Sequence, residues 1–193
     1  MFPALLLCTG IVFSACQKEL SYEVDRGNTG GSGGSGSNGG GGNSGYYIKG
    51  KKDGAAFTFS GNALATIVDF TATLGAGVGL GLHASPDATS MEAINISIIL
   101  STGNTVPTGT YSETDNLNFT KITTGSYIVD NNLAYAAGVS LSPTPPLTVV
   151  IQSKTNTEIS GTFQGAFYKS DGSGGVTSEH VTFTDCSFKL PIK

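Results

Sequence analysis

From Tyr46 onward, apolar and polar residues alternate in short runs rich in Ile, Val, Thr, Tyr and Phe, punctuated by Gly, Asn, Asp and Pro. A period of two marks strands with one buried and one wet face; helical periodicity is nearly absent. The runs predict strands over 46–49, 56–59, 65–73, 78–84, 92–100, 110–113, 118–122, 126–129, 133–140, 148–154, 158–168 and 176–190. Ile94, Ile96, Ile98 and Leu100 share one face against Asn95 and Ser97, and Ile159, Phe163 and Phe167 oppose Ser160, Thr162 and Gln164. Asp53-Gly54 between two such runs is a hairpin cue. About ten or more short strands at regular spacing suit a sandwich or barrel, and the expected fold is an all-β antiparallel β-sandwich.

Gly75, Gly77, Gly79 and Gly81 recur at every second residue, so an extended segment there has one face without side chains. Such a face either packs closely under a bulky neighbour or backbone, or forms the floor of a ligand groove or an edge for strand addition. Gly161 and Gly165, on the face of Phe163, are expected to make room for that ring.

Residues 1–15 read differently. Ala4-Leu5-Leu6-Leu7-Cys8 and Gly10-Ile11-Val12-Phe13 form an apolar stretch that turns small at Ser14-Ala15 before Cys16. This is the pattern of an export signal with a cleavage site, too short to span a bilayer. Phe13-Ser14-Ala15-Cys16 resembles the lipobox of bacterial lipoproteins, which implies lipidation (palmitate among the acyl groups) at Cys16. No Lys or Arg precedes Lys18, so the true start is expected to lie upstream. Gln17-Lys18-Glu19 resembles part of the signal that sends some lipoproteins to the cell surface. From Gly27 to Gly45 the chain is almost wholly Gly, Ser and Asn, the composition of a flexible tether. Roughly 30 residues of Gly-rich coil span about 30 Å. The organisation is therefore a signal peptide at 1–15, a lipidated linker at 16–45 and one β domain at 46–193.

Gly30-Gly31-Ser32-Gly33-Gly34 matches a nucleophile elbow in letters alone, and Gly31-Ser32-Gly33-Gly34-Ser35-Gly36 matches a dinucleotide-binding loop in the same way. Neither lies between a strand and a helix, where those mechanisms operate. Charged residues are 12% of the chain, the net charge is −4, and Lys and Arg do not cluster, which excludes a nucleic-acid partner. With Cys8 in the signal and Cys16 as the anchor, Cys186 stands alone in the domain and reads as a small buried strand residue. His83 and His180 read as surface or edge-strand residues. Asp171-Gly172-Ser173-Gly174 and Asp130-Asn131-Asn132 read as turns before they read as calcium loops. No metal or cofactor is expected. The chain has no Trp, so planar rings for a glycan have to come from Tyr46, Tyr47, Tyr111, Tyr127, Tyr135 and Tyr168. Leu141-Ser142-Pro143-Thr144-Pro145-Pro146 reads as a stiff loop.

The stretch Gly161-Thr162-Phe163-Gln164-Gly165-Ala166-Phe167-Tyr168, the turn at 171–174, and Val181-Thr182-Phe183-Thr184-Asp185-Cys186-Ser187-Phe188 together resemble the ending of a family of Gram-negative outer-membrane lipoproteins. The hairpin from Ile48 to Gly54 matches the same family's amino-terminal motif. The resemblance implies a β-sandwich and an outer-membrane location, and it brings no activity. Cys186 stands where that family has Gly, at an expected bulge.

These readings point to a non-enzymatic, lipid-anchored extracytoplasmic binding or structural module. Its partners are the membrane, through lipid on Cys16, and a glycan or a protein. The alternatives are a surface-associated hydrolase and a carbohydrate-binding accessory protein, with the domain on the cell surface or the periplasmic face.

Overall fold

The computed structural model describes residues 45–70, 77–138 and 144–193. The export segment, Cys16, the tether up to residue 44, residues 71–76 with Gly75, and residues 139–143 lie outside the described residues. Among the described residues, eleven strands follow in order: β1 (Tyr47–Lys52), β2 (Ala55–Phe59), β3 (Gly61–Asp69), β4 (Val78–Ser85), β5 (Ala93–Leu100), β6 (Gly109–Ser112), β7 (Lys121–Ile128), β8 (Ala134–Ala137), β9 (Thr148–Lys154), β10 (Glu158–Ser170) and β11 (Val176–Pro191). A short 3-10 helix, Glu113–Asn118, joins β6 to β7.

The strands belong to one sheet, ordered β2-β1-β11-β10-β8-β7-β5-β4-β3, with β9 also on β10 and β6 on β9. All of these pairings are antiparallel. The far strand returns toward the start of the sheet: Ala65 of β3 forms a parallel bridge to Ile192, and the Lys193 N–H donates to the Ala65 carbonyl at 2.9 Å. The all-β antiparallel expectation is met by a single curling, nearly closed sheet.

Local chemistry explains the pairings. Lys52 faces Ala55 across the first hairpin, and Asp53 and Gly54 take φ of 49° and 82°, the left-handed pair that a two-residue turn requires. The Asp53 carboxylate accepts the Thr182 N–H at 2.7 Å, docking this turn onto β11. The alternation read from sequence becomes burial: Ile94, Ile96 and Ile98 are inside while Asn95 and Ser97 are half-buried on the outer face. Phe183 sits at the centre of the core, with the rings of Phe57, Tyr127, Phe163 and Phe167 at centroid distances of 5.0 to 6.2 Å.

Two expectations change, and a third is met through a different residue. The strands predicted over 118–122 and 126–129 are one strand, β7, because Gly125 is a packing site and does not interrupt it; a Cβ there would stand 2.6 Å from the Phe167 ring. Gly161 and Gly165 make room for neighbours other than Phe163. A Cβ on Gly161 would lie 2.0 Å from the Val150 carbonyl oxygen, and one on Gly165 would lie 2.6 Å from Leu147 Cα. The bulge in β11 is present although Cys186 replaces Gly, because Asp185 carries the left-handed backbone, at φ 52°. Asp tolerates that conformation better than most side chains.

Phe183→Ala removes the ring on which four others pack. Its expected cost is about 3–5 kcal/mol, read as a lower urea midpoint with an unchanged slope; a loss under about 1 kcal/mol would contradict this central role.

Candidate functional site

The outer face of β9, β10 and β11 carries a cleft of about 450 Å³ lined by Thr148, Val150, Thr162, Phe163, Gln164, Asp185, Cys186 and Ser187. Strand register assembles it. Ser187 faces Thr162, which faces Val150, and Gln164 faces Thr148 in the next rung. The bulge at Asp185 turns its carboxylate to the rim, where it is exposed and paired with Lys51 at 2.9 Å. Hydroxyl, amide and carboxylate groups thus surround the half-buried Val150, while the side chains of Phe163 and Cys186 turn into the core beneath. Such a surface can exchange hydrogen bonds with a polar ligand and stack against its carbon skeleton.

Cys186 lies at the floor of this cleft, held against β1 where Gly50 leaves room: a Cβ on Gly50 would meet Cys186 Sγ at 2.4 Å. Burial pushes its thiol pKa up to about 12, and its Sγ lies 3.3 Å from the Thr184 carbonyl. This is the buried strand cysteine that the sequence suggests.

The alternating glycines lie on the outer face of β4, away from the buried Val78, Leu80 and Leu82. Gly75 is outside the described residues. Gly77 has φ 117° and approaches the Leu100 carbonyl, and Gly79 lies under the Phe70 ring, where a Cβ would stand 2.9 Å from a ring carbon. At Gly81 a Cβ would have ordinary contact only, with the Thr66 carbonyl at 3.9 Å. The bare face is therefore covered at Gly79 and open at Gly81. His83 continues that face, with Nδ1 2.7 Å from the Asn95 amide oxygen, and Asn95 in turn donates to Ser126 Oγ at 3.2 Å. His180 Nδ1 is 3.1 Å from the Ser178 carbonyl, and its ring lies beside Tyr168.

Other polar groups gather where sequence reading placed none. Glu113 opens the 3-10 helix and is 6% exposed. Its carboxylate accepts the N–H groups of both Leu147 and Gly138, and its own N–H donates to the Leu147 carbonyl at 2.9 Å. Burial raises its pKa above the ordinary 4.5, more than the two N–H donors lower it. Asn116 imitates a paired strand, accepting the Thr123 N–H at 2.7 Å and donating to the Thr123 carbonyl at 2.9 Å. At the start of β5, the Lys52 ammonium donates to the Tyr127 hydroxyl, which donates to the Glu92 carboxylate; Lys52 and Glu92 are also 3.4 Å apart. Burial opposes the charge on Lys52, yet its bonds and attraction to Tyr127 and Glu92 hold its pKa above the ordinary value. Burial, together with the bond to Glu92, pushes the Tyr127 phenol up. These residues come from different strands, the 3-10 helix and the turn before β5, and no spacing in the sequence announces their meeting.

The two acidic turns are spent on backbone. The Asp130 side chain accepts the N–H groups of Asn132 and Leu133, and that of Asp171 accepts those of Ser173 and Gly175. Of the tyrosines, Tyr111, Tyr127 and Tyr135 are buried, while Tyr46, Tyr47 and Tyr168 are half-buried. Among the described residues, no group of three or more His, Cys, Asp or Glu could hold a metal ion. Comparison with known protein families, curated proteins and solved structures finds no match.

Two predictions concern these groups. The raised pKa of Glu113 means that its contribution to stability is full below the unfolded pKa and lost as pH rises through the folded one. Glu113→Gln leaves one acceptor oxygen for two N–H groups and should destabilise by about 1–3 kcal/mol for the lost backbone partner. Because Gln lacks the titration that lowers wild-type stability as pH rises, the gap from wild type should be wider near pH 4 than near pH 8. Urea midpoints at both pH values would show it; a gap that widens toward pH 8 would contradict the assignment. In a chain starting at residue 17, Cys186 is the only thiol. It is expected to react with iodoacetamide only after denaturation, and rapid labelling of the folded chain would refute its inertness.

Proposed function

We propose that this chain is a lipid-anchored, extracytoplasmic binding module whose ligand seats in the cleft on β9, β10 and β11. The cleft is the observation that carries this reading. Thr148, Thr162, Ser187 and Gln164 offer groups that both donate and accept hydrogen bonds, Asp185 adds an acceptor at the rim, and Val150 lies among them. That mixture suits a neutral, hydroxyl-bearing ligand such as a glycan: hydroxyls pair with the polar lining, and the ring's C–H face rests on Val150. The anchor half of the proposal rests on the apolar stretch before Cys16, the lipobox-like Phe13-Ser14-Ala15-Cys16 and the Gly-rich segment that follows. The resemblance to outer-membrane lipoproteins supports the same placement, with the domain held at the outer membrane on its surface or periplasmic side.

Two measurements separate the halves. In cells making the full chain, Cys16→Ser is expected to move the protein from the membrane to the soluble fraction and to abolish fatty-acid incorporation. Protease added to intact cells then distinguishes the surface from the periplasmic face. For the cleft, NMR titration with neutral oligosaccharides should shift the resonances of Thr162, Gln164 and Ser187. Thr162→Val combined with Gln164→Leu should weaken binding about tenfold or more, through two lost hydrogen bonds. Binding that this pair leaves unchanged would place the ligand elsewhere.

A further inference from the structure

The end of the sheet where β3 and β5 finish and β4 and β7 begin carries an apolar surface that the proposed cleft does not use. Register aligns Val68, Gly79, Ile99 and Ile122 in one rung across four strands. All four belong to the outer face, where Val68 is 43% exposed and the Phe70 ring covers Gly79. The next rung, Thr66, Gly81, Ser97 and Thr124, contains no large apolar residue and bounds the apolar rung on that side. Beyond it, the turn into β7 presents Leu117 at 78% and Phe119 at 70% exposure.

Phe119 is held outward. Its backbone is left-handed at φ 51°, an uncommon conformation for a bulky side chain, and its N–H donates to the Asn116 carbonyl at 3.1 Å. Asn116 is itself fixed to the backbone of Thr123, and the Thr120 carbonyl accepts the Ser101 N–H at 3.1 Å. A strained backbone and an exposed aromatic ring are both unfavourable, and the surrounding bonds maintain them together. Strain of this kind concentrates where a surface does work.

We infer that Leu117 and Phe119 form a tip that inserts into the surface of a lipid bilayer, with the rung of Val68, Ile99 and Ile122 resting against it. The inference rests on the anchor proposed above. Lipid on Cys16 and about 30 residues of Gly-rich chain keep the domain within tens of ångströms of a bilayer, where even a weak apolar contact is made at high effective concentration. The shape favours the same occupant. Two large side chains projecting from a turn suit a penetrable surface, whereas a protein partner has to supply a matching pocket. The nearby charges, Asp69 and Asp115 against the exposed Lys121, are of mixed sign with no basic cluster, so the contact is apolar and depends little on salt.

The chain contains no Trp, which makes Phe119→Trp a clean reporter. The chain from residue 17, carrying an amino-terminal His tag, is captured on phosphatidylcholine vesicles that contain nickel-chelating and doxyl-labelled lipids. Attachment then does not depend on Cys16. Phe119→Trp, and Leu117→Trp as a second reporter, should shift to the blue and be quenched. Met91→Trp, exposed at the opposite end of β5, should not. Without nickel lipid, Leu117→Ser combined with Phe119→Ser should weaken vesicle partition about tenfold, at low and high salt alike. Equal, weak quenching of all three reporters on captured protein would overturn the inference and leave the anchor standing. A blue shift without vesicles that grows with protein concentration would overturn it in favour of a second copy of this chain.

Discussion

Where β10 passes from pairing with β9 to pairing with β8, the sheet forks, and backbone groups at the fork have no strand beside them. β9 occupies β10 from Ile159 to Gln164, and β8 occupies it at Tyr168 and Lys169. The Pro145 carbonyl fills the space between them by accepting the Ala166 N–H at 2.9 Å. The Glu113 carboxylate does the rest, accepting the N–H of Gly138 just after β8 and of Leu147 just before β9. An unsatisfied buried N–H costs about 1–3 kcal/mol, and Glu113 serves two of them although burial disfavours its charge more than those bonds favour it. Without it, the N–H groups on either side of the fork, at Gly138 and Leu147, would lose their acceptor.

The same accounting shows which parts of the molecule are legible in the chain. Strand positions follow from alternation because each strand has one buried face, and the Asp53-Gly54 hairpin follows because its turn demands left-handed backbone. Glycine is harder to read, since one letter has three uses. At Gly54 it supplies a positive φ, at Gly125 it admits the Phe167 ring, and at Gly161 it lets the Val150 carbonyl approach. Only the first use is local. The other two depend on which strand lies alongside, and that pairing is set by closure of the whole sheet. Glu113, Asn116, Lys52 and Glu92 were equally hidden, because their partners are distant in sequence and a single polar residue beside a strand looks like any solvated position.

The bulge at Asp185 links the core to the cleft. An extra residue in β11 lets Cys186 turn inward against Gly50 while Asp185 turns outward to Lys51. Exposed ion pairs of this type contribute little to stability, roughly 0–1 kcal/mol, so the pair is better understood as orienting a carboxylate at the rim. A glycine at position 186 would permit the same bulge without filling the space beside Gly50. The cysteine fills it, and its burial removes the reactivity that an exposed thiol would bring to the cleft.

The outer surface is therefore divided by register. Across β9, β10 and β11 the outward positions are hydroxyls and amides around a shallow cleft; at one end of β3, β4, β5 and β7 they are apolar and continue into Leu117 and Phe119. One curled sheet presents the two surfaces on different strands. In the anchoring proposed above, a Gly-rich linker does not by itself decide which surface of the domain meets the membrane. The apolar tip inferred above would supply what the linker lacks: with Leu117 and Phe119 seated in lipid, that end of β3, β4, β5 and β7 faces the bilayer, and the cleft on β9, β10 and β11 takes its direction from the same sheet.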